Sequence, residues 1–547
     1  KTIGISPPIK SSGLRAMLDA LGELLNVHFE ERTFGEDAGL DAWILHEADR
    51  EIQHRLALSN CPCYTVIRSD QLHPCGSSSF IEFSRHRMLP TFLTGRRIEA
   101  SEAAELKSLP RYLRNVAVLA SKEDAPIWAV QEVAGRLYHY VTSSIPELKD
   151  NEPLFQYFHQ GQFLQLLPLI LFLRSLTDDW RWEQPSLRAC FMFDDPNLHW
   201  RTYGFINFKE VAMHAQMHNY HACFATIPLD TWFIHKPTAL LFQQYRDQLS
   251  LLIHGNDHRA QELARSNSDE DLNSNLQQVL RRIHEFERRS GVAVSKIMVP
   301  PHGACSERTL REMAHLGFEG ACISKGSLRY HNRQATWLRT LGMRPYDIIE
   351  GLPVFPRFPF SAKCHNNILI AALLNQPIIA RGHHHDVSDG LQLLADLSGF
   401  VNSLGTVHWL DMKRIARSHY AQRLEGNVLL VKMFTRRIEV SVPRGIRKIL
   451  VERPWLEGTE SPPLAWKGLN DGSEWKLHQS DETIPVQSYQ KIEIVSELST
   501  LPLISAKNAK RFRLWPTVRR QLTEARDRLA PVIKRVSTFS TKPNKTY

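Results

Sequence analysis

Four times between residues 188 and 386 an apolar run of strand length ends in a polar cluster rich in aspartate or histidine. Asp194 and Asp195 close the run 188–193. His254 and His258 follow 250–253, and Pro300, Pro301, His302 and Gly303 follow 295–299. His383, His384, His385 and Asp386 follow 377–382. Adjacent carboxylates at the end of a buried strand are costly unless a cation or a reaction uses them. A strand–helix–strand pattern, repeated, predicts a parallel sheet. In a parallel barrel every strand C-terminus opens on one rim, so the four clusters are expected to meet there.

Strands at 188–193, 221–227, 250–253, 295–299, 320–323, 346–349 and 377–382 alternate with helices at 208–219, 269–289, 307–316 and 391–404. This predicts a distorted (β/α) barrel of about seven strands within a domain spanning 146–418. The whole chain is expected to be multidomain α/β, because 547 residues exceed one ordinary core. Residues 1–145 read as an N-terminal doubly wound α/β domain, Rossmann-like or flavodoxin-like. It has strands at 2–6, 41–46, 64–68 and 115–120 and a helix at 14–25, but no glycine-rich nucleotide fingerprint. Residues 419–506 read as a C-terminal β-sandwich, with strands at 426–434, 437–443 and 446–452. Its Trp455, Trp466 and Trp475 are read as core in preference to sugar-stacking platforms. Residues 507–547 form a basic tail, partly helical.

The net charge of +9 resides in that tail. It holds 12 Lys/Arg and 2 Asp/Glu, a net of +10; the rest holds 55 against 56, a net of −1. Its amphipathic stretch 519–535 fits an anionic membrane surface or packing on its own protein about equally. No nucleic-acid reader motif accompanies the charge, so no specific nucleic acid is expected. The apolar run 163–173 is too short to span a bilayer. The chain therefore fits a cytoplasmic or peripheral-membrane location, or an extracytoplasmic one if a leader was removed. No cysteine pair has C-x-x-C spacing, and Cys61 and Cys63 read as small buried residues.

The chemistry lies at the strand ends. His254 and His258 are four apart, so a helical turn there would put both rings on one face. With Asp195 they make a two-histidine, one-carboxylate set that leaves positions open, as a catalytic zinc site does. A metal in such a site brings the pKa of its water toward neutrality, and Asp194 is placed to act as general base. A histidine among 383–385 could protonate a leaving amine. His214 and His218 share the four-residue spacing but lie inside a predicted outer helix and are read as structural.

The order Phe193-Asp194-Asp195, then His254 and His258, then Pro300-Pro301 with Gly303, then a late histidine resembles the polysaccharide deacetylase family (NodB homology domain, carbohydrate esterase family 4) over about residues 186–418. The resemblance implies a distorted barrel, Zn2+ or another divalent metal such as Co2+ or Ni2+, and removal of acetyl groups from an N-acetylated glycan. It makes Asp194 the base, Asp195, His254 and His258 the metal ligands, and a histidine of 383–385 the acid. It assigns the stretch Pro300, Pro301, His302 and Gly303 to the substrate groove. The arginine that usually begins this third motif is replaced by Val299, and Arg357 is the candidate substitute. Strand alternation continued past Gly382 would put His383 and His385 on one face and His384 on the other, with His383 preferred as acid. The alternatives are a hydrolase of another non-peptide C–N bond and a catalytically weak glycan-binding barrel.

Overall fold

The computed structural model describes all residues except 52–55, 57–58, 180, 266–267, 336–337, 456–462, 470–473, 479–482, 497–513 and 541–547. The first and last stretches of the expected basic tail, 507–513 and 541–547, thus lie outside the described residues. The chain divides into two compact units, one of Lys1–Trp180, Thr336–Arg344 and Lys363–Leu374, the other holding the remainder.

The first unit is built on a nine-stranded sheet. Thr2–Ser6, His28–Glu31, Ala42–Ala48, Cys63–Ile67 and Arg136–Val141 run parallel. Ala125–Val133, Ala117–Lys122, Phe80–Phe83 and Arg97–Glu99 continue the sheet antiparallel. The doubly wound arrangement expected for 1–145 therefore describes at most the parallel half. Two-residue turns with positive φ at Glu123-Asp124 and Ala134-Gly135 connect antiparallel neighbours directly, so no crossover helix is needed there. The apolar helix Leu167–Thr177 belongs to this unit, with Phe172 packed on Tyr64 and His139.

In the second unit the parallel wall is formed by β1 (Leu187–Asp194), β2 (Ala222–Thr226), β3 (Leu249–His254), β4 (Val294–Val299), β5 (Gly320–Cys322), β6 (Leu352–Phe355), β7 (Phe358–Pro359) and β8 (Ile378–Gly382), with Val407–Trp409 added beside the start of β1. All neighbours run parallel in the order β6-β5-β4-β3-β2-β1-β8-β7. The two ends of that order, β6 and β7, are separated only by Pro356 and Arg357. Three Cα steps span at most about 11 Å. The sheet must therefore curl until its edges meet, giving a barrel-like wall. The expected strand at 346–349 is not a stave: Asp347–Ile349 pairs antiparallel with β6 as the arm of a hairpin turned at Glu350-Gly351, both at positive φ.

The barrel interior is filled from alternating positions. Cys190 and Met192 of β1, Cys223 and Ala225 of β2, Leu252 of β3, Ile297 and Val299 of β4 and Cys322 of β5 form one buried cluster. Period-two alternation carries that inward face on to Asp194 in β1 and His254 in β3. C-terminal to the barrel, two four-stranded sheets enclose a second core that includes Trp466. Trp455 packs against it, and Trp475 lies beneath Lys467. Among the described residues no helix is long and apolar enough to cross a membrane.

Candidate metal centre and active site

Asp194, Asp195, His254, His258, His302, Gly303, Arg357 and His383 line one pocket of about 330 Å³, together with Ser324, Ser327 and Arg381. Strand ends position each group. β1 delivers Asp194 inward; Asp195 follows at φ 84°, a left-handed turn that ends the alternation and swings its carboxylate toward β3. His254 ends β3. The helical turn expected between His254 and His258 does not form. Gly255 and His258 both take positive φ, and a compact loop brings the second ring round, 5.0 Å from the first. The half-buried Glu262 carboxylate holds that loop by accepting the amides of Asn256 at 2.8 Å, Asp257 at 3.1 Å and His258 at 3.2 Å. A Cβ at Gly255 would lie 2.1 Å from Glu262 Oε1, so the close approach requires glycine.

Asp195 Oδ1 lies 3.0 Å from His258 Nε2 and 3.5 Å from His254 Nε2. His254 Nδ1 is 2.9 Å from the Val299 carbonyl, a contact that only an N–H can satisfy. In the neutral ring Nε2 is then a bare acceptor facing a carboxylate oxygen. Asp195 Oδ1 is buried, and the groups facing it are these two Nε2 atoms. Acceptors facing one another require a cation or a proton among them. Burial pushes the His254 imidazole down, but Asp195 and Asp194 outweigh it and the net shift is upward. One ligand atom from each of Asp195, His254 and His258 lies within 4.8 Å of the others. This donor set fits a divalent cation of the zinc, cobalt or nickel kind.

Arg357 Nη1 donates to both oxygens of Asp194, at 2.8 and 3.0 Å. Each side chain is 5% exposed. Burial raises the Asp194 carboxyl, but the Arg357 charge, with His254, outweighs it and leaves the group below its usual range. Arg357 occupies the two-residue break between β6 and β7. Val299, where the related motif carries arginine, is an interior core residue, and its carbonyl orients His254.

The late histidines separate. β8 stops at Gly382, and His384–Val387 form a turn of 3-10 helix, so the expected alternation does not extend past His383. His383 lines the pocket, its backbone N–H held by Asp386 at 2.7 Å. His384 is buried against Phe205, and the exposed His385 ring sits 3.9 Å from it. His384, His385 and Asp527 also have metal-ligand spacing, but the Asp527 carboxylate is occupied by Tyr203 at 2.9 Å and Arg526 at 2.8 Å. Pro300 and Pro301 lead into a tight turn in which His302 and Gly303 take positive φ, and the His302 ring lies 5.4 Å from His258. The His214 and His218 rings lie 4.2 Å apart in the helix Phe208–His218, and His214 meets the Tyr220 hydroxyl at 2.9 Å.

Sequence reasoning did not find Arg381, Ser324 or Ser327. Arg381 was visible as the one charged side chain in the run 377–382. The amphipathic stretch expected at 519–535 lies in the helix Leu514–Ser540, but its reach to the site was not read from the sequence: Arg520 donates to the Asp195 carbonyl at 3.1 Å and pairs with Asp230 at 2.8 Å. Arg519 of the same helix bonds the Asp257 carbonyl at 3.1 Å and the His258 carbonyl. Both loops bearing metal-type ligands are therefore tied to this helix.

No family model and no curated protein matches the chain. Solved structures that it resembles include a T48 deacetylase with substrate, at TM-score 0.24 and 13% identity over 41% of this chain and 87% of that one. Another is the family 4 carbohydrate esterase from Streptomyces lividans in complex with acetate, at TM-score 0.24 and 11% identity over 41% and 89%. A third is a Streptococcus mutans CE4 esterase, at TM-score 0.26 and 13% identity over 42% and 87%. At such scores the likeness decides nothing about this chain, and the side chains must.

Proposed function

We propose that this chain is a metal-dependent hydrolase that removes N-acetyl groups from a polysaccharide or glycoconjugate. The observation that carries this reading is the pairing of a fixed base with a triad of metal-ligand atoms. Asp194 is clamped by Arg357, next in sequence to Asp195, whose Oδ1 faces the Nε2 atoms of His254 and His258.

Asp195, His254 and His258 would hold the metal. A divalent ion there would lower the pKa of water and stabilise negative charge on the acyl oxygen. Asp194 stays ionised beside Arg357 and so can take a proton from the attacking water. His383, on the same pocket wall, gives a proton to the nitrogen as the C–N bond breaks. Water is thus divided between acetate and a free amine. Arg381, Ser324 and Ser327 offer polar contacts to the sugar, and the turn through Pro300, Pro301, His302 and Gly303 shapes the groove. The glycan-binding alternative rested on the missing motif arginine, and the Arg357 contact with Asp194 removes that ground.

The test is acetate release from N-acetylated chito-oligosaccharides by metal-loaded protein. Asp194→Asn should lose about 100-fold or more in kcat while keeping its metal. A metal-loaded wild type that releases no acetate from any acetylated glycan overturns the reading.

A further inference from the structure

The C-terminal helix Leu514–Ser540 turns Arg520, Glu524 and Asp527 inward and a row of apolar side chains outward. Arg520, Glu524 and Asp527 are 1%, 5% and 3% exposed, held by ion pairs and hydrogen bonds to Asp230, His199 and Tyr203. Trp515, Leu522, Leu529 and Ile533 are 70%, 65%, 55% and 63% exposed. At 3.6 residues per turn those four fall within about 40° of arc, opposite Arg520 and Glu524. Scattered apolar side chains on a surface are ordinary, but a continuous stripe marks a contact face. The stripe is not alone. Trp232 is 57% exposed and packs on His199, the residue that meets Glu524 at 3.0 Å, so an exposed aromatic lies beside the helix.

Charge selects the occupant. The helix carries six Lys/Arg and two acidic residues, and both acids are on the buried side. Its outer face therefore has no negative charge, while Arg526 stands 74% exposed. A second copy of this helix would bring like charges together. An anionic lipid surface accepts the apolar stripe at the headgroup boundary and attracts the exposed Arg526 beside it.

We propose that this face docks the barrel on an anionic bilayer surface, with the helix lying in the headgroup plane. Because Arg520 reaches the Asp195 carbonyl from the opposite side, the Asp195 loop would sit about one helix diameter, ~10 Å, from the lipid.

The test is flotation of the full chain with phosphatidylcholine vesicles, with and without phosphatidylglycerol, at low and high salt. Wild type should float with the anionic vesicles and lose much of that binding in high salt or without phosphatidylglycerol. Leu522→Glu combined with Leu529→Glu and Ile533→Glu should weaken binding at least about tenfold. These side chains are exposed, so the variant should keep wild-type circular dichroism and bound metal. Absence of anionic-vesicle binding by wild type overturns the proposal. So does equal binding by the variant, or a wild-type dimer that the variant dissolves without any vesicle binding. None of these readouts depends on turnover, so the docking and the deacetylase reading fail separately.

Discussion

Replacing Arg357 by alanine isolates what holds the base. The guanidinium contacts both Asp194 oxygens at 2.8 and 3.0 Å, and both side chains are buried. An adjacent arginine lowers a carboxyl pKa by about 1–3 units, equivalent to about 1.4–4 kcal/mol. Without it, burial, the largest influence on Asp194, acts in the opposite direction and favours the protonated acid. The base must be ionised to act, so the acidic limb of the kcat/KM profile should move upward by about 1–3 pH units. At pH 7 the lost orientation should lower kcat about 100-fold. Arg357→Lys should recover part of the profile but less of the rate, because an ammonium restores charge without the guanidinium's geometry. Assays of acetate release across pH, with bound metal quantified in each variant, separate loss of the base from loss of the metal. If Arg357→Ala keeps both the rate and the acidic limb of wild type, the assignment of Asp194 as an arginine-held base is wrong.

Further outcomes follow from the C-terminal helix. Arg520→Met leaves Asp230 as a buried charge without its arginine, which costs about 3–5 kcal/mol and should lower the melting temperature by roughly 5 °C. It also removes the bond to the Asp195 carbonyl, so metal affinity should fall about 10-fold or more; melting and titration curves matching wild type would contradict this. Burial raises the Glu524 carboxyl, but His199 and Arg528 outweigh it and pull it down to about 2. Asp527 likewise falls to about 2 against burial, through His384, Arg526 and Tyr203. Their folded values lie below the unfolded ones near 4, so their stabilisation is complete above about pH 4.5 and is lost as pH falls toward 2. Protease sensitivity of the helix should rise in that window, and the Glu524→Gln, Asp527→Asn double variant should show a flatter response; identical profiles would refute the linkage.

Strand periodicity made much of the site legible. Alternation along 188–194 and 250–254 is enough to turn Asp194 and His254 to the same interior, and strand-end placement told His258 from His218. What stayed hidden depends on backbone turns and on distant pairing. The left-handed conformations of Asp195 and His258 replace the helix that a four-residue spacing invites. Arg357 reaches Asp194 only because β6 and β7 form the two edges of one curled sheet, a closure no local pattern reveals. In the first unit, short positive-φ turns replaced crossover helices and made half of the sheet antiparallel. The tail helix was legible as an amphipathic stretch, but not the face it buries, because its polar side is packed inward and its apolar side is turned outward. Its orientation is set by partners such as Asp230 and Tyr203, roughly 300 residues earlier in the chain.

The central claim is that Asp195, His254 and His258 hold a divalent ion in front of Asp194. Metal content per chain, by elemental analysis after dialysis against trace zinc, tests it most directly in wild type and His254→Ala. The account predicts about one bound ion in wild type and near none in the variant, with matching circular dichroism. Equal metal in the two proteins, or none in wild type at saturating zinc, would contradict it.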